Sequence, residues 1–153
     1  MLRVSKTILQ EENKRWESYQ IGSRVSKRTK LLIGNSLSIM GSIIGNADDN
    51  VRAVYHGGEL QGAVVYGVSN DEMRVAFIAV APWNVYGMPD RLSGCGAYMM
   101  RHIFKIVSRD VKIKGVSLVA FDEAVNFYRK LGFTERGASM FISRRKINGK
   151  LGK

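Results

Sequence analysis

The chain has 153 residues, 45% hydrophobic and 24% charged, the composition of one folded domain rather than a disordered tail or low-complexity scaffold. A single cysteine excludes an intramolecular disulfide framework and a multi-thiolate zinc site and points to a reducing, cytoplasmic compartment. Twenty-four Lys and Arg stand against thirteen Asp and Glu, a net charge of +11 that favours polyanionic partners or simply keeps the protein soluble.

No apolar run approaches the roughly 18 residues of a membrane span. The start, Met1 to Lys6, lacks an apolar stretch after its basic residues, so no signal peptide is expected. Residues 10–30 are polar and charged, with Trp16, Tyr19 and Ile21 or Val25 at helical spacing, which predicts an amphipathic helix. Gly34-Asn35-Ser36 reads as its break. Leu37, Met40, Ile43 and Ile44 then form a second helical stripe, capped by Ser36 and ended by Gly45-Asn46. Asp48-Asp49-Asn50 reads as a turn, without calcium-loop spacing.

The period then changes. Residues 51–56 and 60–68 are β-rich around Gly57-Gly58, the pattern of a hairpin with a primed turn. Ser69-Asn70-Asp71 makes a second turn, and the nearly apolar run 73–81 predicts a central strand buried on both faces, ended by Pro82. Residues 83–90 form an irregular loop. Helix 96–107 buries Met100, Ile103, Phe104 and Val107, and 115–121 is a buried strand. Asp122 caps a helix that runs to Leu131 and ends at Gly132. Residues 133–146 close as one strand, and 147–153 form a basic, flexible tail outside a single domain of 1–146. The fold class is α/β, or α+β with a mixed sheet: an antiparallel meander leading into a βαβ unit with flanking helices.

The informative segment runs from the buried strand through a loop to Arg91-Leu92-Ser93-Gly94-Cys95-Gly96-Ala97. Amides at a helix start are unpaired and carry the positive end of the dipole, so they bind phosphate. Glycines let a ligand approach the main chain, and Arg91 adds charge. A dinucleotide fingerprint would need a glycine or alanine where Met99 stands, and no Gly-Lys-Ser/Thr ending exists. Cys95 is a small filler between two glycines. His56, at a hairpin tip, and His102, on a wet helix face, do not look like ligands.

Arg91-x-x-Gly94-x-Gly96-Ala97 after a Val-Ala-Pro strand end resembles the acyl-CoA pyrophosphate loop of the GNAT superfamily of N-acetyltransferases. The segment Ala124-Val125-Asn126-Phe127-Tyr128-Arg129-Lys130-Leu131-Gly132-Phe133 resembles that family's second motif, in the expected order. The resemblance covers residues 51–146. The first fifty match only in kind, as variable helices bordering the acceptor site. It implies that main-chain groups of Ile78, Ala79 and Val80 align the pantetheine arm, and that amides from Leu92 through Ser93, Gly94, Cys95 and Gly96 to Ala97 hold the pyrophosphate. Asn126 would bond the pantetheine, Tyr128 would protonate the leaving thiolate, and Lys130 or Arg129 would meet the outer phosphates.

Acetyl transfer to an amine also needs an oxyanion donor, which a backbone amide near Ala79 or Val80 can supply, and a base. Arg74 stands where many members place a glutamate. Glu72 shares its face and is the candidate base, with a water chain as the alternative. Nine positions separate Pro82 from Arg91, more than the family usually needs, so 83–90 reads as a flap or a rearranged loop. Two basic groups, Arg24, Lys27, Arg28 and Lys30, and Arg144, Arg145, Lys146, Lys150 and Lys153, read as solvated faces or as steering for anionic ligands.

The expectation is an acetyl-CoA-dependent N-acetyltransferase without a metal, acting in a ternary complex as a monomer or homodimer off the membrane. Its acceptor would be a small-molecule or protein amine, with an acidic or RNA-bound acceptor in view of the charge. The alternative is an inactive basic binding module for nucleic acid or an acidic protein.

Overall fold

A computed structural model describes residues 1–46, 51–89 and 91–152. The acidic turn Asp48-Asp49-Asn50, the loop residue Asp90 and the terminal Lys153 lie outside the described residues. Among the described residues the order is β1 (Leu2–Arg3), α1 (Lys6–Ser18), α2 (Lys27–Gly45), β2 (Val51–His56), β3 (Glu59–Ser69), β4 (Glu72–Val80), α3 (Cys95–Arg109), β5 (Gly115–Leu118), α4 (Val125–Leu131), β6 (Thr134–Arg136), β7 (Ser139–Ser143) and α5 (Arg144–Lys150). Short 3-10 turns at Pro82–Asn84 and Asp122–Ala124 precede α3 and α4. The seven strands form one mixed sheet in the order β1-β2-β3-β4-β5-β7-β6, the expected architecture.

The chain divides into two compact units, Met1–Val65 with Phe77–Met99, and Tyr66–Ala76 with Met100–Lys153. The divisions fall inside β3, β4 and α3, so no linker composition marks them in the sequence.

In the first unit, Ser5 caps α1 by accepting from the Ile8 amide, and Ser26 caps α2 by accepting from the Thr29 amide. The expected helix over 10–30 is therefore two helices, parted at residues 19–26. Gly34-Asn35-Ser36 does not break the chain but lies within α2, and Ser36 is no cap. Its hydroxyl donates to the Val80 carbonyl instead, and burial of Ile33, Met40 and Ile43 carries the helix through. Leu9, Trp16, Met40, Ile43, Val51 and Leu60 form the core, and the Trp16 indole donates to the Leu60 carbonyl at 3.2 Å. The β2–β3 hairpin turns through Gly57 and Gly58, both at positive φ, as expected. Strand β4 lies centrally but is not buried on both faces. Met73, Val75 and Ala79 are buried while Arg74 and Ala76 are exposed.

In the second unit, β3 turns into β4 through Asn70 and Asp71 at φ 52° and 63°. Helix α3 buries Met100, Ile103, Phe104 and Val107 as expected. Strand β5 runs parallel to β4 in the register Met73↔Val116 to Val75↔Leu118 and ends at Leu118 rather than Phe121. Val119 and Phe121, 77% and 49% exposed, lie beyond the ladder that would hold them in a strand. Asp122 makes no side-chain cap and opens the 3-10 turn instead. Gly132 ends α4 at φ 105°, as expected. The segment 133–146 is not one strand, because Gly137, at φ 61°, turns β6 back onto β7. Nor is 147–153 a frayed tail throughout. Ser143 caps α5 by accepting from the Lys146 amide, and Ile147 is fully buried.

Candidate functional site

The anion loop lies in the first unit. Gly94 sits at φ +88°, where a side chain would be strained, and its carbonyl accepts the Tyr98 amide at 2.8 Å to start α3. The amides of Cys95, Gly96 and Ala97 thus occupy the first turn, where no acceptor exists within the helix. Leu92, Ser93 and Gly94 are exposed, and the Arg91 guanidinium lies 3.4 Å from the Ser93 hydroxyl and 5.2 Å from the Tyr86 ring centre. The Leu92 amide is engaged by the Asn84 side-chain oxygen at 2.9 Å, so the amides left for a phosphate follow it.

A buried polar network that sequence reasoning missed stands behind this loop. Gln61 and Asn84 are 4% and 5% exposed. The Gln61 side-chain oxygen accepts from Trp83 Nε1 at 2.9 Å and from Asn84 Nδ2 at 2.6 Å, while its amide nitrogen donates to the His56 carbonyl at 3.2 Å. The Gln61 main-chain carbonyl accepts the Ala81 amide at 2.9 Å, and the Cys95 thiol lies 3.4 Å from it. The available signals were a glutamine inside the apolar run 60–65 and an asparagine just after Pro82-Trp83. The loop 83–89 is anchored by its own side chains. Asn84, Val85 and Met88 are buried, and the Trp83 ring stands edge-on to Trp16 and Tyr19.

Gly62 makes this packing possible. A Cβ there would meet Cys95 Sγ and Met99 Cε at 2.8 Å each, so the glycine sets how closely α3 approaches β3. Burial pushes the Cys95 thiol up to about 11, keeping it protonated and unsuited to carry an acyl group.

Of the strand-end residues, Ala79 is buried and Ile78 and Val80 are half-buried. The parallel ladder stops at Val75↔Leu118 while β4 continues to Val80, and among the described residues no strand pairs with β4 on that side past Val75. The Val80 carbonyl is taken by the Ser36 hydroxyl.

The second unit holds the remaining candidates. Tyr128 is 5% exposed, its ring edge-on to Phe127 at 5.0 Å and Phe133 at 5.6 Å, and burial pushes its phenol well above the ordinary range. Asn126 and Lys130 are exposed on α4. Asn126 accepts from Arg129 at 3.3 Å, and Arg129 also pairs with Glu135. Glu72 receives both Arg136 guanidinium nitrogens at 2.8 Å. Hydrogen bonds from Arg136 hold its carboxyl below the usual range, helped by that residue's charge, by Ser117 and by Arg74, against an opposing effect of burial. A carboxylate so held is a weak base. Arg136 was invisible to sequence reasoning because it lies 64 positions away. Arg74 is exposed.

Among the described residues, no group of three or more His, Cys, Asp and Glu is placed to hold a metal ion, and no helix is long and apolar enough to cross a membrane.

No protein-family model and no curated protein sequence matches the chain. Solved structures do. The chain is similar to the ribosomal-protein-S18-alanine N-acetyltransferase of Escherichia coli at 14% identity, with TM-score 0.59 over 93% of this chain and 91% of that one. It is similar to YhhK of E. coli bound to coenzyme A at 16% identity and TM-score 0.54 over 94% of each chain. It is also similar to AtaTR bound with acetyl-CoA at 15% identity and TM-score 0.53 over 98% and 96%. The fold is that of the GNAT superfamily of N-acetyltransferases.

Proposed function

We propose that the protein is an N-acetyltransferase that transfers the acetyl group of acetyl-CoA directly to a primary amine. The observation that carries this reading is the pairing of two features: β4, whose last residues run past its ladder with β5, and an α3 start in the first unit whose amides lie behind exposed, left-handed Gly94. The first offers main-chain groups to a pantetheine arm and the second offers donors to a diphosphate. Structures of the same fold with coenzyme A and with acetyl-CoA add support. A basic binding module would account for the +11 charge but gives no role to the open strand edge or to Gly94.

In this reading Cys95, Gly96 and Ala97 amides grip the pyrophosphate, Arg91 adds its charge, and Ser93 lines the approach. Asn126 would bond the pantetheine, with Lys130 beside the outer phosphates. The amine nitrogen attacks the thioester carbon and the oxyanion is met by the Ala79 or Val80 amide. Once water has taken a proton from the substrate ammonium, the C–N bond forms, the C–S bond breaks, and the proton then lost by the attacking nitrogen ends on the sulfur.

Tyr128 acts as a hydrogen-bond donor to the departing sulfur. Its phenol is a weaker acid than a thiol, which titrates near ~8.5, so it steadies the thiolate without surrendering its proton. The ion pair with Arg136 leaves Glu72 ill-suited to take the ammonium proton, and water fills that role. Thiol release from acetyl-CoA across a panel of primary amines tests the reading. Saturable, amine-dependent release is expected, and none from any amine would remove it.

A further inference from the structure

The first unit contains a cavity of about 600 Å³, within the range of small-molecule sites, that the coenzyme reading leaves unused. It is walled by the segment between α1 and α2, the first turn of α2 and residues 86–89. Leu32, Val25 and Met88 make it apolar and belong to the cluster around Ile33 and Val85, against which Val80 of the β4 end also packs. Tyr19 and Tyr86 supply amphipathic walls, and Arg91 of the anion loop stacks over Tyr86. The Thr29 hydroxyl donates to the Tyr86 carbonyl at 3.2 Å. A Cβ on Gly87, at φ +97°, would meet that hydroxyl at 2.3 Å, so the wall is shaped by a close contact.

Charge distinguishes the cavity. Arg24 and Arg28 line it, and no acidic side chain lines it among the described residues. Two guanidiniums disfavour an ammonium ion, so a polycation would be repelled. They offer forked donors to a carboxylate or phosphate.

We propose that this cavity is the acceptor pocket and that the acceptor is a primary amine carrying an anionic group on a small apolar body. The inference rests on the acetyltransferase reading and names the substrate class of that site. The arginines then do two things. They hold the anion, and they make the neighbouring ammonium easier to deprotonate.

The test compares matched acceptors with acetyl-CoA: L-phenylalanine against L-phenylalaninamide, O-phosphoethanolamine against ethanolamine, and spermidine as polycation. At least one anionic amine should exceed its neutral partner by about tenfold in kcat/KM, the two pairs deciding between carboxylate and phosphate. The double variant Arg24→Gln/Arg28→Gln should bring that pair to parity with acetyl-CoA affinity unchanged. Neutral amines that match their anionic partners, spermidine as the best acceptor, or a double variant that keeps the preference would each overturn the proposal.

A second readout does not need turnover. N-acetylphenylalanine or N-acetyl-O-phosphoethanolamine, whichever follows the preferred acceptor, should raise the Tm of the natural protein but not of the double variant, and its neutral analogue should raise neither. Equal shifts with the neutral analogue would overturn the pocket assignment. If acetyl-CoA neither binds nor releases thiol, the acetyltransferase reading fails. A Tm shift by either anion that the double variant abolishes would still support the anion pocket.

Discussion

Two connections lead from central strands of this sheet into helices, and they are built differently. The one after β4 is pinned from beneath. Asn84 holds the Leu92 amide, Gln61 holds Asn84 and Trp83, and Val85 and Met88 are buried. The one after β5 is more open to solvent. Val119 and Phe121 are exposed, and the 3-10 turn at Asp122–Ala124 has no side-chain cap. A loop that must offer amides to a charged ligand gains from being fixed beforehand, since donors already in place need not reorganise. The contrast fits the proposed placing of the diphosphate at the first connection, with the second as surface.

The largest expected effect that bears on this contrast comes from Gly62→Val. The new side chain would collide with Cys95 and Met99 beneath the anion loop. A loss of about 3 kcal/mol of stability or more, read by urea denaturation, is expected. A tolerated valine would show that β3 and α3 are not closely packed.

Asn84→Ala should come next. It leaves the Leu92 amide and the buried Gln61 oxygen short of partners, at a cost of about 1–3 kcal/mol, and should weaken acetyl-CoA binding. Unchanged stability and affinity would mean the network does not hold the loop. Tyr128→Phe should lower kcat by about 10- to 100-fold, the worth of a hydrogen bond to a charged group, while acetyl-CoA affinity stays the same. An unaltered kcat would remove the phenol from the reaction and leave it as core packing.

Smaller effects follow in the second unit. Pairing lowers the Glu72 pKa in the fold, so the pair adds stability above the unfolded glutamate value, about 4.3, and loses it as pH falls through the lower folded value. Glu72→Gln should therefore flatten the acid limb of the stability curve and leave kcat near neutral pH unchanged. A collapse of kcat would restore Glu72 as base. Val119→Ser should change stability by less than about 0.5 kcal/mol in thermal unfolding, and a larger loss would erase the contrast between the two connections.

What the sequence made legible was local. The Gly57-Gly58 turn, the α3 stripe and Gly132 at the end of α4 are all read within a few residues, and each stands where expected. The failures involve distant partners. Ser36 looks like a cap until its hydroxyl finds Val80, 44 positions away, and Glu72 looks like a base until Arg136 arrives from β6. Other misses were avoidable, since Ser26 before α2, Gly137 between β6 and β7, and Ser143 before α5 are ordinary start and turn signals. Gln61 and Asn84 lie between these cases. A polar residue in a buried run is conspicuous, but its meaning depends on what the fold places against it.

Calorimetric titration of the protein with acetyl-CoA, alongside Gly94→Val, tests the central claim most directly. The account predicts one-site saturable binding that a hundredfold excess over Kd converts to about 2.7 kcal/mol of added stability. It predicts binding weakened at least about tenfold in a Gly94→Val protein that remains folded by circular dichroism. Absence of binding to the natural protein, or equal affinity in the folded variant, would contradict it.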